Sequence, residues 1–114
     1  MSKDCLFCKI SSKEIPADIV YEDDKVLAFR DINPQAPIHM LIIPHRHISN
    51  LNEANANDQE LLGYMVLTAA QLAKDNGVDE SGYRLVMNCN EHGGQTVFHI
   101  HLHILAGRQL THLG

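Results

Sequence analysis

The chain has 114 residues, one domain's worth, and a chain of this length can bury roughly two-thirds of its unfolded surface. Hydrophobic residues make up 45% and charged residues 20%, which is globular composition and argues against disorder. Nine Lys and Arg against 14 Asp and Glu leave a formal charge of −5, a poor footprint for DNA, RNA or an anionic membrane surface. No apolar run approaches the ~18–20 residues of a membrane span, and no basic segment precedes an apolar one at the N-terminus. The expectation is a cytoplasmic protein with residues 1–114 as a single domain.

In chain order, residues 5–13 read as a short helix or turn that Pro16 ends. Asp18 to Glu22 and Lys25 to Asp31 read as two strands, because Ile19, Val20, Tyr21, Val26, Leu27 and Phe29 are β-branched, aromatic or large. Asp23-Asp24 is the tight connection between them. Residues 33–37 are a loop, and His39 to Pro44 is a mostly apolar, central third strand. A helix starts at Asn57, with Asn57 and Glu60 as a variant capping box. Leu61, Leu62, Met65, Ala69, Leu72 and Ala73 line one face of it, and Asn76-Gly77 stops it. Tyr83 to Met87 and Val97 to Leu105 are the fourth and fifth strands. Hairpin-connected strands with one long helix inserted predict an α+β fold with an antiparallel sheet.

The chain holds eight histidines, gathered mainly at 39, 45 and 47 and at 99, 101 and 103. Alternation along a strand puts His99, His101 and His103 on one face, about 6.5–7 Å apart, and Ile100, Leu102 and Ile104 on the other, under the helix. A half-buried strand facing water would more often carry Thr, Lys, Glu or Arg; three histidines in register suit a phosphate-sized group. Gly93-Gly94-Gln95-Thr96 runs straight into this strand. It is either a plain flexible loop or an anion-binding turn, in which Gly94 lends backbone N–H, Gln95 an amide and Thr96 a hydroxyl. Neither a Rossmann fingerprint nor a Walker loop is present.

His99-Ile100-His101-Leu102-His103-Ile104-Leu105 resembles the signature of the histidine triad superfamily. Cys5-Leu6-Phe7-Cys8-Lys9-Ile10, Glu14-Ile15-Pro16-Ala17, Ala28-Phe29-Arg30-Asp31-Ile32, Pro34-Gln35-Ala36-Pro37 and His92-Gly93-Gly94-Gln95-Thr96 extend the resemblance, to the nucleotide-binding branch, over almost the whole chain. The resemblance implies a five-stranded antiparallel sheet with one long helix and a short N-terminal helix, joined into a ten-stranded sheet across a homodimer. It implies hydrolysis of purine nucleoside 5′-phosphoramidates, such as adenosine 5′-monophosphoramidate, and of aminoacyl-adenylates. His101 is then the nucleophile, forming a nucleotidyl-histidine. His103 contacts the phosphate oxygens, His99 completes the triad and His39 helps supply a proton to the leaving amine. Thr96 and the 94–96 backbone stabilise phosphorane charge. Asp31 holds the ribose hydroxyls, Phe29 and Ile32 line the base pocket, and Asn88 is a phosphate-side amide. Without the resemblance, Asp31 reads as a turn-starting aspartate. No cofactor is required for catalysis.

The alternatives are a dinucleoside polyphosphate hydrolase and a non-catalytic nucleotide-binding adaptor. The Gly-Gly-Gln-Thr element favours the phosphoramidase branch, and an intact His101 argues against a pure binder. The alanine at 106, where the branch usually has glycine, and the short tail bear on leaving-group preference. Three cysteines in a chain without an export signal disfavour a disulfide framework. Cys5-x-x-Cys8 has zinc spacing, and His47 with His99 could complete a structural Cys₂His₂ site; the other reading is two core cysteines on a short helix. Cys89 reads as a small apolar residue.

Overall fold

The computed structural model describes residues 4–114. The element order is α1 (Leu6–Ser11), β1 (Ile19–Glu22), β2 (Val26–Arg30), β3 (Ile38–Pro44), α2 (Gln59–Asp75), β4 (Tyr83–Val86) and β5 (Leu102–Ala106). The strands form one sheet in the order β1-β2-β3-β5-β4, with every neighbouring pair antiparallel. The α+β expectation holds, with one long helix and one short N-terminal helix.

Alternation divides the sheet into two faces. Val26, Ala28, Met40, Ile42, Leu102 and Ile104 pack with Met65, Ala69 and Leu72 of α2. Leu27, Phe29, Leu41 and Ile43 pack with Phe7, Cys8 and Ile10 of α1. The helix face and the strand face read from the sequence are therefore the ones that meet. Ile100, although outside β5, joins the α2 core with Leu102 and Ile104.

Three boundaries differ from expectation. β5 begins at Leu102 instead of Val97, because the chain before it finds other partners. The N–H of Ile100 donates to the Ile48 carbonyl at 2.8 Å, and the Pro44 carbonyl accepts from the ring of His99 at 2.7 Å. At Pro44, the last residue of β3, there is moreover no N–H to offer. Second, the cap before α2 is Asn55 with Asp58, not Asn57 with Glu60. The Asn55 side chain accepts from the Asn57 N–H, the Asp58 carboxylate accepts from the Asn55 N–H, and a 3₁₀ turn at Ala56–Asp58 precedes the helix. Third, α1 ends at Ser11, well before Pro16; the N–H groups of Glu14 and Ile15 fold back onto the Lys9 carbonyl around Lys13, whose φ is +70°.

Asp23 makes the tight β1–β2 turn. Its carboxylate accepts from the N–H groups of Lys25 and Val26 and from the hydroxyls of Tyr21 and Tyr64. Burial opposes its ionisation, but these donors win and hold the carboxyl well below the usual range. Tyr64 lies on α2, so the same turn ties the helix to the sheet. Asp58 is almost fully buried and pairs with Arg46. Replacing it with alanine removes the cap acceptor and leaves Arg46 without its partner. Asp58→Ala is expected to cost about 2–3 kcal/mol, read as a drop in the urea midpoint with unchanged slope.

Candidate active site

The register of β3 and β5 places Leu41 opposite His103 and His39 opposite Leu105, so His39 and His103 share the α1 face. Their rings meet, with Nε2 of His39 2.9 Å from Nδ1 of His103. His101 lies one residue before β5 and its ring centroid is 4.9 Å from that of His103. The two rings lean toward each other, and His101 itself stands outside the ladder, which begins at Leu102. The His99 ring turns away from the other two toward Cys5 and Cys8. The three rings therefore split into a neighbouring pair, His101 and His103, and a third, His99, that faces the cysteines.

Hydrogen bonds fix each tautomer. The backbone carbonyl of His99 lies 2.8 Å from Nδ1 of His101, so His101 carries its proton on Nδ1 and leaves the Nε2 lone pair free. The N–H of Gln35 donates to Nδ1 of His39 at 3.0 Å. His39 therefore carries its proton on Nε2 and donates it to Nδ1 of His103, which leaves His103 a proton on its own Nε2. The carboxylate of Asp31 stands 3.5 Å from Nε2 of His39.

Burial lowers the pKa of His39 and of His101, with Asp31 pulling the other way in each case. His103 is pushed down to about 4, first by burial and then by its histidine neighbours. All three rings are therefore neutral at pH 7.

Beside this pair lies a cleft of about 290 Å³ whose wall includes Phe7, Phe29, Asp31, Ile32, Thr96, His101 and His103. Leu6, Ile10, Ile15, Pro16, Ala17, Leu41 and Val97 also line it. The sequence reading did not single these out; their signal is the apolar clustering of residues 6–17. Phe7 meets His101 edge-on at 5.0 Å and Phe29 at 5.6 Å. Ile32 is 99% exposed at the cleft mouth. Asn88, Gly94 and Gln95 do not line this cleft. Gln95 is buried, and its amide is spent on the Ser49 and Val97 carbonyls and the Asn90 N–H. The N–H groups of Gly93, Gly94 and Gln95 bond to Asn90 and Glu91 carbonyls inside the loop, so they are not pooled for an anion. Thr96 alone of that element faces the cleft. A larger cavity of about 660 Å³ lies between the β1–β2 turn and the start of α2; its Arg46 is paired with Asp58 and its Lys25 sits over the Tyr64 ring.

Cys5, Cys8, His47 and His99 point donor atoms at one another, all within 4.8 Å. Nδ1 of His99 is 3.4 Å from Sγ of Cys5 and 3.5 Å from Sγ of Cys8, Nδ1 of His47 is 3.3 Å from Sγ of Cys8, and the two Nδ1 atoms are 3.2 Å apart. Tetrahedral Zn²⁺ with ordinary bond lengths places S and N ligands about 3.5–3.6 Å apart and two N ligands about 3.3–3.4 Å apart. The donor set fits such an ion. The ring proton of His99 is held on Nε2 by the Pro44 carbonyl, so Nδ1 is a lone pair, and burial pushes the pKa of this ring down to about 4.

A sequence model of the HIT domain matches residues 12–110. The chain belongs to the HIT family. The purine nucleoside phosphoramidase of Escherichia coli K12 is 54% identical over 110 residues, covering 96% of this chain and 92% of that protein. An uncharacterized HIT-like protein of Synechococcus elongatus is 56% identical over 111 residues, covering 97% and 96%. Among solved structures, the HIT family hydrolase of Legionella pneumophila superposes with a TM-score of 0.94 at 57% identity, covering 95% of this chain and 96% of that one. A histidine triad protein of Clostridium difficile reaches 0.96 at 42% identity, covering 100% and 99%. The HIT fold read from the sequence is thus the fold of the chain.

His103 has a folded pKa of about 4 against about 6.5 when unfolded. The unfolded chain therefore binds a proton first as pH falls, and stability present above pH ~6.5 is lost progressively down to pH ~4. His103→Asn is expected to flatten the fall of the thermal midpoint across that window. An unchanged slope would contradict the assignment.

Proposed function

We infer that this chain is a hydrolase of purine nucleoside 5′-phosphoramidates, converting adenosine 5′-monophosphoramidate to AMP and ammonia, with aminoacyl-adenylates as further substrates. The observation that carries the mechanism is the His101 tautomer. Nδ1–H is committed to the His99 carbonyl, so Nε2 is the atom that attacks the α-phosphorus. The P–N bond breaks and the amine leaves with a proton from Nε2 of His103, and a proton passed in from solvent by way of His39 replaces it, so that each ring ends neutral. As the N–P bond forms, positive charge builds on the His101 ring, and the His99 carbonyl accepts its proton in a stronger, charge-assisted bond. Water then attacks phosphorus, releases AMP and restores His101.

The cleft supports the nucleotide part of this reading. Phe7 and Phe29 form an apolar slot for a purine, and Ile32 stands at its mouth. Asp31 lies within reach of both His39 and the cleft, which suits a carboxylate on ribose hydroxyls. Thr96 lines the same cleft as His101, which suits a phosphate-side donor. Asn88, Gly94 and Gln95, expected on the nucleotide, lie outside the cleft, and Gln95 acts instead through the loop it ties together. His101→Ala should lower turnover by ~10³-fold or more while an AMP complex still forms; a variant within about tenfold of the parent would remove His101 as nucleophile. Diadenosine polyphosphates should turn over far more slowly than the phosphoramidate, the reverse indicating the polyphosphate branch.

The Cys5, Cys8, His47 and His99 cluster is proposed as a structural zinc site; zinc held there would supply a cross-link, not a catalytic charge. The residues themselves join α1 to the chain after β3 and to the start of the triad. Cys5→Ser with Cys8→Ser should lower the thermal midpoint and abolish zinc in elemental analysis, yet keep most activity. A double variant as inactive as His101→Ala would overturn a purely structural role.

The reading also includes one HIT domain over residues 1–114, a cytoplasmic location and a homodimer without nucleic-acid or membrane partners. No helix among the described residues is long and apolar enough to cross a membrane. β4 is an edge strand with half-buried side chains, and α2 leaves Val66 and Leu67 exposed; an uncovered edge of this kind is a pairing site. Sedimentation should give twice the 12.8 kDa chain mass, and a monomer at micromolar concentration would refute the dimer.

A further inference from the structure

The hydrogen bonds that set the His39 tautomer do not stop at Gln35. The Gln35 carbonyl accepts from Nη2 of Arg108 at 3.0 Å, while the Gln35 N–H donates to Nδ1 of His39. Arg108 follows Gly107, which has φ +98° and lies so close to the loop that a Cβ there would come within 2.8 Å of the Cβ of Pro37. The ladder between Ile38 and Ala106 continues the same contact. Two independent features, a charged hydrogen bond and a close backbone approach, thus dock the end of β5 onto the 33–37 loop.

We propose that Arg108 is a positioning residue for the reaction, holding the 33–37 loop so that the Gln35 N–H keeps His39, and through it His103, in the productive tautomer. The relay has a direction: Gln35 N–H to His39 Nδ1, His39 Nε2–H to His103 Nδ1, and His103 Nε2–H toward the substrate. If the Gln35 N–H moves off, neutral His39 is free to carry its proton on Nδ1. Its Nε2 then accepts from His103 Nδ1, and His103 loses the Nε2 proton that meets the leaving amine. The carbonyl that Arg108 holds and the N–H that meets His39 belong to the two successive peptide groups of Gln35, so Arg108 acts by fixing where the loop sits. Arg108 is exposed and outside the cleft, so it acts without touching substrate.

The kinetic half of this inference rests on the phosphoramidase reading; the tautomer half does not. The test measures Arg108→Ala and Arg108→Lys by ¹⁵N NMR of the histidine rings at mildly alkaline pH, without ligand, and by turnover of adenosine 5′-monophosphoramidate. In the parent, His39 should be a single Nε2–H tautomer. In Arg108→Ala, it should become a mixture, with kcat down about fivefold and KM within about twofold, since a small misplacement near a reacting group is costly while binding contacts stay. Arg108→Lys, which keeps a donor, should recover most of both. Gln35→Pro, which deletes the N–H itself, should reproduce the mixture with Arg108 intact. An Arg108→Ala protein with an unchanged His39 tautomer overturns the proposal, and a loss confined to KM would place Arg108 in substrate binding instead. A parent with the expected tautomer but no phosphoramidase turnover would defeat the functional reading alone.

Discussion

The proton on Nδ1 of His101 is held by a backbone carbonyl, and that carbonyl belongs to His99. The ring of the same residue donates to the Pro44 carbonyl and turns its free nitrogen toward two cysteines and a second histidine. One residue therefore fixes the tautomer of the proposed nucleophile with its main chain and holds a donor atom toward the candidate metal site with its side chain. Three of the tautomers follow from such backbone partners, Pro44 for His99, His99 for His101 and Gln35 for His39, and that of His103 follows from His39. A neutral imidazole needs one nitrogen bare and the other protonated, and a rigid carbonyl or N–H enforces this without adding a charge to a buried cluster. Burial then keeps the rings neutral, so a bare nitrogen on one ring and N–H donors on the others coexist at neutral pH.

The fold exists to hold those backbone groups still. The α2 face of the sheet is a continuous aliphatic core, and its packing fixes β3 and β5 relative to each other. The other face carries the chemistry, roofed by α1. That arrangement lets a 114-residue chain set a polar relay directly on the back of its core. Only five residues of β5 lie in the ladder, and the departure of 97–101 from it is what allows His99 and His101 to point to different tasks.

Much of this was legible in the sequence. The alternation from His99 to Ile104 correctly separated the site face from the helix face, and the helical spacing from Leu61 to Ala73 found the buried side of α2. The HIT family was legible in the triad and its surrounding motifs. The hidden parts depend on which backbone group meets which side chain. Periodicity carried β5 back to Val97 because it cannot see Ile100 turning to Ile48. Asn57 with Glu60 and Asn55 with Asp58 both fit a capping pattern, and only the burial of Asp58 against Arg46 selects the second. Gln95 looked like a ligand donor by residue type, yet its amide closes a loop. The cysteine spacing suggested a metal, but convergence with His47 and His99 requires the sheet and α1 together.

The account stands on attack by Nε2 of His101. A single-turnover reaction with adenosine phosphoramidate, quenched under alkaline conditions that preserve phosphohistidine and mapped by mass spectrometry, tests it most directly. The account predicts an adenylyl group on the peptide containing residues 99–103, localised to His101 by fragmentation and formed at least as fast as AMP. An adduct on His103 or His39, or turnover with inversion at phosphorus and no adduct, would contradict it.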